Sequence, residues 1–300
     1  MYDLIIVGAG PAGLTAGIYA RRANKKTLIL EANTYGGQII NAHAIDNYPT
    51  QPHINGFDFA TKLYNQTKEL GAEIKFEKVV EIEDGKTKKV ITNKNTYETK
   101  TIILATGSDN RKLGIERENE LIGKGVSYCA TCDGAFYKNE DVAIVGNGNK
   151  ALEDALFLSD IVNKVYIINS KDKFTDDNNL LEKLKPNVEI FYNSSIIKLL
   201  GNDKLTGIEI STKGITQEVD ITGLFVDVGR VPENEHFISL INVDEKGYII
   251  ANEDCHTNVD GIFVAGDNRV KKVRQLTTAV SDGTIAAVEA IKYINNLKEE

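Results

Sequence analysis

An internal repeat constrains this chain more than any other feature. The run Asp3-Leu4-Ile5-Ile6-Val7-Gly8-Ala9-Gly10-Pro11-Ala12-Gly13 returns 138 positions later as Asp141-Val142-Ala143-Ile144-Val145-Gly146-Asn147-Gly148-Asn149-Lys150-Ala151. In each copy a β-branched apolar run reads as a buried parallel strand, and a glycine turn follows. Helix-spaced apolar residues come next, over Leu14 to Ala23 and Leu152 to Asp160. Strand, tight turn and helix in this order make a nucleotide-binding βα unit, so two are expected. Between the copies lie an amphipathic helix around Phe57 to Leu70, short alternating strands with turns at Asp84-Gly85 and Asn93-Lys94-Asn95, and the strand Thr101-Ile102-Ile103-Leu104-Ala105-Thr106-Gly107. A similar strand-rich stretch after the second copy ends in Gly223-Leu224-Phe225-Val226-Asp227-Val228-Gly229. The stretch from about Ile241 has no second half of its own and is expected to return and complete the first domain. The predicted class is α/β, with two Rossmann-like, three-layer domains, the second inserted into the first.

The first turn carries three glycines with separate tasks. Gly8 makes the tight turn, Gly10 lets the backbone approach a pyrophosphate, and Gly13 lets helix and strand pack closely, with the helix N-terminus facing the anion. Glu31 ends the next strand, 18 residues past Gly13, where an acid accepts ribose hydroxyls. Gly261-Ile262-Phe263-Val264-Ala265-Gly266-Asp267 is a short apolar strand ending in Gly-Asp, and an aspartate there suits a ribityl chain. Chemistry is expected at Cys129-Ala130-Thr131-Cys132-Asp133, because two intervening residues let the thiols close a disulfide while one stays exposed enough to attack. Asp133 is the candidate acid, since each leaving thiolate needs a proton. Half a zinc site is the other reading of this pair, but three cysteines and four scattered histidines (His43, His53, His236, His256) supply no partner ligands, so no metal is expected. Cys255 adjoins His256, yet neighbours in a strand face opposite ways, which favours a plain free thiol. A net charge of −8 opposes binding to nucleic acid or anionic lipid. No apolar run reaches the ~18 residues of a membrane span, and the chain enters its first strand without a signal-like segment, so a cytoplasmic protein is expected.

Seven segments together resemble the low-molecular-weight thioredoxin reductases. They are Gly8-Ala9-Gly10-Pro11-Ala12-Gly13, Gly36-Gly37-Gln38, Asp46-Asn47-Tyr48-Pro49, Ala105-Thr106-Gly107, Cys129-Ala130-Thr131-Cys132-Asp133-Gly134, Ala265-Gly266-Asp267 and Arg274-Gln275. The match runs nearly end to end. It implies FAD bound by Gly8, Gly10, Pro11, Ala12, Gly13, Glu31, Gly37, Gln38, Asn47, Ala105, Thr106, Gly107, Gly266, Asp267, Arg274 and Gln275, in a homodimer. It further implies that Cys132 faces the flavin, Cys129 attacks the thioredoxin disulfide and Asp133 is the acid. The FAD domain of that family is split in sequence, which places it at 1–112 and 238–300, with the inserted pyridine-nucleotide-like domain, carrying the cysteine pair, at 113–237.

The second copy departs from the family pattern. NADPH-dependent members have a His-Arg-Arg stretch and a further Arg after the next strand, whereas here Val165-Tyr166-Ile167-Ile168 runs into Asn169-Ser170-Lys171-Asp172-Lys173-Phe174-Thr175. Lysine meets phosphate as a point charge and lacks the bidentate fork. No acid ends the strand to select NAD. Glu153 and Asp154 are expected in the first helical turn, where they would repel a pyrophosphate. The pattern therefore resembles the ferredoxin-dependent flavin thioredoxin reductases, and reduced ferredoxin is the expected donor, received at a basic loop formed by Arg269, Lys271, Lys272 and Arg274. The alternatives are an NADPH-dependent reductase with altered nucleotide contacts and a dithiol oxidase of the same fold.

Overall fold

The computed structural model describes residues 1–42, 44–175 and 179–297, so His43 lies outside it. The chain divides into two compact units, Met1–Asp109 with Val231–Glu300, and Asn110–Arg230.

In the first unit the strands run Glu73–Phe76, Thr27–Glu31, Tyr2–Val7, Thr96–Leu104, Lys88–Thr92 and Val79–Glu83 across one sheet. The strand Thr96–Leu104 changes partners along its length. Its first half pairs antiparallel with Lys88–Thr92, while Ile102–Leu104 pair parallel with Ile262–Val264. The segment after the second repeat copy thus returns to this sheet. Alternation explains the packing, because successive side chains on a strand point to opposite faces. Leu4, Ile6, Ile29 and Ile103 meet Leu14, Ala286, Ala287 and Ala290 on one face. Ile5, Val7, Leu28, Leu30, Ile102 and Leu104 meet Phe237, Ile241 and Ile249 on the other. Both faces are covered, as a largely parallel sheet requires. Small residues let the helices come close: a Cβ on Gly283 of the helix Leu276–Asn296 would lie 2.2 Å from the carbonyl oxygen of Ala12 in the helix Pro11–Arg22.

The second unit repeats the plan with five parallel strands in the order Val188–Tyr192, Lys164–Asn169, Asp141–Val145, Gly223–Val226 and Val126–Ser127. Val142, Ile144, Val165 and Ile167 pack on Ala151, Leu152, Ala155 and Leu158 of the helix Asn149–Leu158. The other face meets an antiparallel meander of Ser194–Leu200, Gly207–Thr212 and Ile215–Asp220 through Ile196, Leu199, Ile208 and Ile210. The α/β, Rossmann-like class read from the repeat is the observed class. Among the described residues no helix is long and apolar enough to cross a membrane.

Candidate active site

Four adjacent parallel strands of the first unit end at one level, on Glu31, Val7, Leu104 and Val264. Val7 pairs with Leu30 and Leu104, and Leu104 with Val264. Ligands of such sheets bind beyond the carboxyl ends of the strands, and the first glycine turn, Ala105-Thr106-Gly107 and Gly266-Asp267 all issue from these ends. Gly8 has φ +108°, and a Cβ there would sit 2.2 Å from the Ala105 carbonyl oxygen, so only glycine passes. Gly10 is the opposite case. Its Cβ would meet nothing closer than the Gly37 Cα at 4.0 Å, which leaves a cradle open above the helix N-terminus at Gly10 and Pro11.

Hydrogen bonds fix several of the flavin-binding candidates, Glu31 and the Gly36–Gly37 turn beside this cradle and others elsewhere in the unit. Glu31 accepts the Ala9 N–H on Oε2 at 2.8 Å and the Asn33 N–H on Oε1 at 2.9 Å, which fixes the carboxylate beside the turn. Ala9 accepts the Gly36 N–H at 2.8 Å and so draws in the turn Gly37–Asn41, where the Gln38 amide donates to Asp109. Asn47 donates to Gln275 Oε1 at 3.3 Å, and Gln275 caps the last helix in a capping box with Thr278. The Thr106 hydroxyl is held between Asn234 at 3.2 Å and Asn268 at 3.0 Å. Arg274 does something else with its guanidinium, donating to the carbonyls of Asp267 (3.3 Å), Lys271 (3.0 Å) and Arg269 (3.2 Å) while lying 4.2 Å from the Tyr248 ring centroid. It braces the loop backbone.

The basic docking loop is not what the structure holds. Arg269 and Lys271 both lie on the buried carboxylate of Asp282, at 2.8 Å each, and Arg274 faces carbonyls. Lys272 alone of the four remains an exposed cation. A run of charges in sequence does not reveal an acid that arrives from a helix eleven or more residues on.

In the second unit Cys129 and Cys132 form a disulfide. The helical turn Ala130–Asp133 presents it, with the N–H groups of Cys132 and Asp133 donating to the Cys129 carbonyl at 3.2 and 3.1 Å. Ser127 was not foreseen. Its hydroxyl donates to Asp133 Oδ2 at 2.6 Å and its oxygen accepts the Cys129 backbone N–H at 3.0 Å, tying the acid to the backbone of Cys129. Only its spacing from Cys129 could have signalled it. Burial raises the Asp133 pKa above the usual carboxylate range, opposed by the hydrogen bond that Ser127 donates to it. Cys255 is fully buried in the first unit, and burial first, then the charge of Asp282, pushes its thiol up to about 12. His256 instead meets the Phe263 ring edge to face, with centroids 4.8 Å apart.

The second glycine turn keeps its shape. A Cβ on Gly146 would lie 2.7 Å from the Asp227 carbonyl oxygen, whereas nothing lies within 4 Å of one on Gly148. The helix starts at Asn149, so Glu153 and Asp154 fall in its second turn and no acid occupies the first. This overturns the repulsion expected from sequence, because polar Asn149 and Lys150 hid the true helix start from an apolar periodicity. Asp154 is buried and paired with Lys150. Asp227 is pushed up to about 6 by burial and then by Asp154. Asn169 accepts the Lys171 N–H at 2.8 Å, and Thr175 donates both its N–H (2.9 Å) and hydroxyl (3.1 Å) to the Asn147 carbonyl. The Lys171 and Lys173 side chains are exposed.

A family profile described as pyridine nucleotide-disulphide oxidoreductase matches residues 2–283. A protein of Listeria innocua named thioredoxin reductase is 40% identical over 305 aligned residues, covering all of this chain and 96% of the relative. The crystal structure of thioredoxin reductase from Streptococcus pyogenes superposes with a TM-score of 0.96 at 36% identity, covering 99% of each chain. A ferredoxin-flavin thioredoxin reductase from Clostridium acetobutylicum is more distant, at 29% identity and a TM-score of 0.54, with 98% of each chain covered.

Proposed function

The chain belongs to the pyridine nucleotide-disulphide oxidoreductases, and within them to the FAD-binding thioredoxin reductases, and from this premise we propose that it draws its electrons from a pyridine nucleotide held at the second glycine turn. One observation carries this reading: the helix N-terminus beyond Gly148 is open and free of acids in its first turn. Such a terminus offers backbone N–H groups and a favourable dipole to a pyrophosphate. Lys171 and Lys173 supply point charges for a 2′-phosphate without a guanidinium fork, so discrimination between NADPH and NADH is expected to be weak. The cradle of the first unit suits FAD, with Glu31 placed for ribose hydroxyls and the Gly8–Gly13 turn for the pyrophosphate.

FAD, when bound, supplies a centre that takes up a hydride and releases its electrons as a pair to a disulfide. The chain's own groups then act on thioredoxin. With the pair reduced, the Cys129 thiolate attacks the thioredoxin disulfide, forming a mixed disulfide and expelling one thioredoxin thiolate, which takes a proton from Asp133. The Cys132 thiolate next attacks Cys129 Sγ, restores the Cys129–Cys132 disulfide and expels the second thioredoxin sulfur as a thiolate, which takes its proton from water. Two electrons leave the enzyme dithiol and two thiols appear on thioredoxin, so the step balances. The raised pKa of Asp133 supports the donor role, since the group retains a proton closer to neutrality than an ordinary carboxyl.

Ferredoxin is the second reading, favoured by the loss of the paired arginines at Ser170 and Lys171. Anaerobic titration of the flavin spectrum with NADPH, NADH and reduced ferredoxin decides between them. Stoichiometric bleaching by either nucleotide at micromolar concentration is the expected result. Bleaching by reduced ferredoxin alone would overturn the nucleotide reading and leave the dithiol chemistry intact.

A further inference from the structure

Asp282 is a buried charge of the first unit with several partners. It sits in the body of the helix Leu276–Asn296, on a buried stripe that it shares with Gly283, Ala286, Ala287, Ala290 and Ile294, and it is 4% exposed. Its Oδ2 accepts the Gly266 N–H at 3.0 Å, Arg269 Nε at 2.8 Å and Lys271 Nζ at 2.8 Å, while Oδ1 accepts Arg269 Nη2 at 2.9 Å. One carboxylate therefore ties down positions 266, 269 and 271. Apolar residues of similar volume would hold a helix to its neighbours at least as well as a buried ionic cluster. What an apolar side chain cannot do is hold a backbone N–H and two cations of a loop in one register.

Asp267 lies inside that register. The residue before it is held by Asp282, its own carbonyl accepts Arg274 Nε at 3.3 Å, and the residue after it is buried, with its amide donating to Thr106 at 3.0 Å. A Cβ on Gly266 would meet the Ala12 Cβ at 3.0 Å, so the loop passes directly against the start of the helix that follows the first glycine turn. We propose that Asp282 is a positioning residue for FAD, which it serves by locking the loop Gly266–Lys271 so that Asp267 faces the cradle. This rests on the reading that Asp267 contacts the ribityl chain.

The test compares release of FAD from diluted holoenzyme, followed by flavin fluorescence, in Asp282→Asn, Asp267→Ala and the double variant. Asp282→Asn is expected to speed release at least tenfold, and Asp267→Ala similarly. Because the first acts through the second, the double variant is expected to stay within twofold of Asp267→Ala alone, whereas a merely structural role would multiply the two effects. Lys271→Met, which leaves the Asp282–Arg269 pair intact, replaces Asp282→Asn if that variant does not fold, and the same comparison then decides. Independent, multiplying effects overturn the proposal. Wild-type release in Asp282→Asn or Lys271→Met, with fast release in Asp267→Ala, overturns it alone. Wild-type release in Asp267→Ala overturns the reading of the ribityl site, and this proposal with it.

Discussion

At the scale of single residues, two carboxyls with raised pKa values carry the account in different ways. Asp133 is joined to Cys129 through Ser127. Its replacement by Asn keeps the hydrogen bond and removes the proton, so thioredoxin turnover is expected to fall roughly 100-fold or more while FAD content is unchanged, read by steady-state kinetics and the flavin spectrum. Asp227 is pushed up to about 6 by burial and Asp154. A carboxyl whose folded pKa exceeds its unfolded value favours the folded state fully below the unfolded pKa, and that contribution is lost as pH rises through the folded one. Asp227→Asn is thus expected to stabilise the protein above pH 6, by up to about 3 kcal/mol, and to give no gain near pH 4. Thermal melts at pH 8 and pH 4 check the sign, and equal gains at both would contradict it. The cysteines are tested by trapping: Cys132→Ser leaves Cys129 to hold thioredoxin as a stable mixed disulfide visible by mass, and Cys129→Ser does not.

At the scale of elements, the second glycine turn is where sequence and structure part. The strand Asp141–Val145 and the turn after it were legible because a β-branched run ending in glycines has few other solutions, and the same holds for Tyr2–Val7. The helix start at Asn149 was not, since capping by Gly148 and the polar residues that follow leave no apolar period to read. Nor were the partners of the basic loop legible, because Asp282 meets Arg269 and Lys271 only after the last helix packs back on the helix Pro11–Arg22. The Cys-x-x-Cys-Asp order was plain in sequence, whereas Ser127 joins it only through the fold. Thr175 closes the loop onto Asn147 and is left in place, while Ser170→Arg with Lys171→Arg adds forks for the 2′-phosphate without displacing an element. The KM for NADPH is expected to fall about tenfold, the order of one charge-assisted hydrogen bond, with that for NADH unchanged. An equal change for both nucleotides would place the phosphate elsewhere.

At the scale of the whole molecule, one repeat plan has been given two chemistries. The first copy, with Gly8, Gly10, Gly13 and Glu31 at adjoining strand ends, forms the cradle proposed for FAD, and the unit bearing the second copy carries both the open turn at Gly148 and the Cys129–Cys132 disulfide. Neither unit alone holds every part of a nucleotide-to-disulfide relay. The central claim is that electrons from a pyridine nucleotide leave the protein only through this cysteine pair. The most direct measurement is an anaerobic balance of nucleotide consumed against thioredoxin thiols formed, in the wild type and in Cys129→Ser with Cys132→Ser combined. One thioredoxin dithiol per NADPH or NADH oxidised in the wild type, with the flavin still reduced but no thiols formed in the double variant, is the expected result. Thioredoxin thiols appearing in the double variant at the wild-type yield would contradict the account.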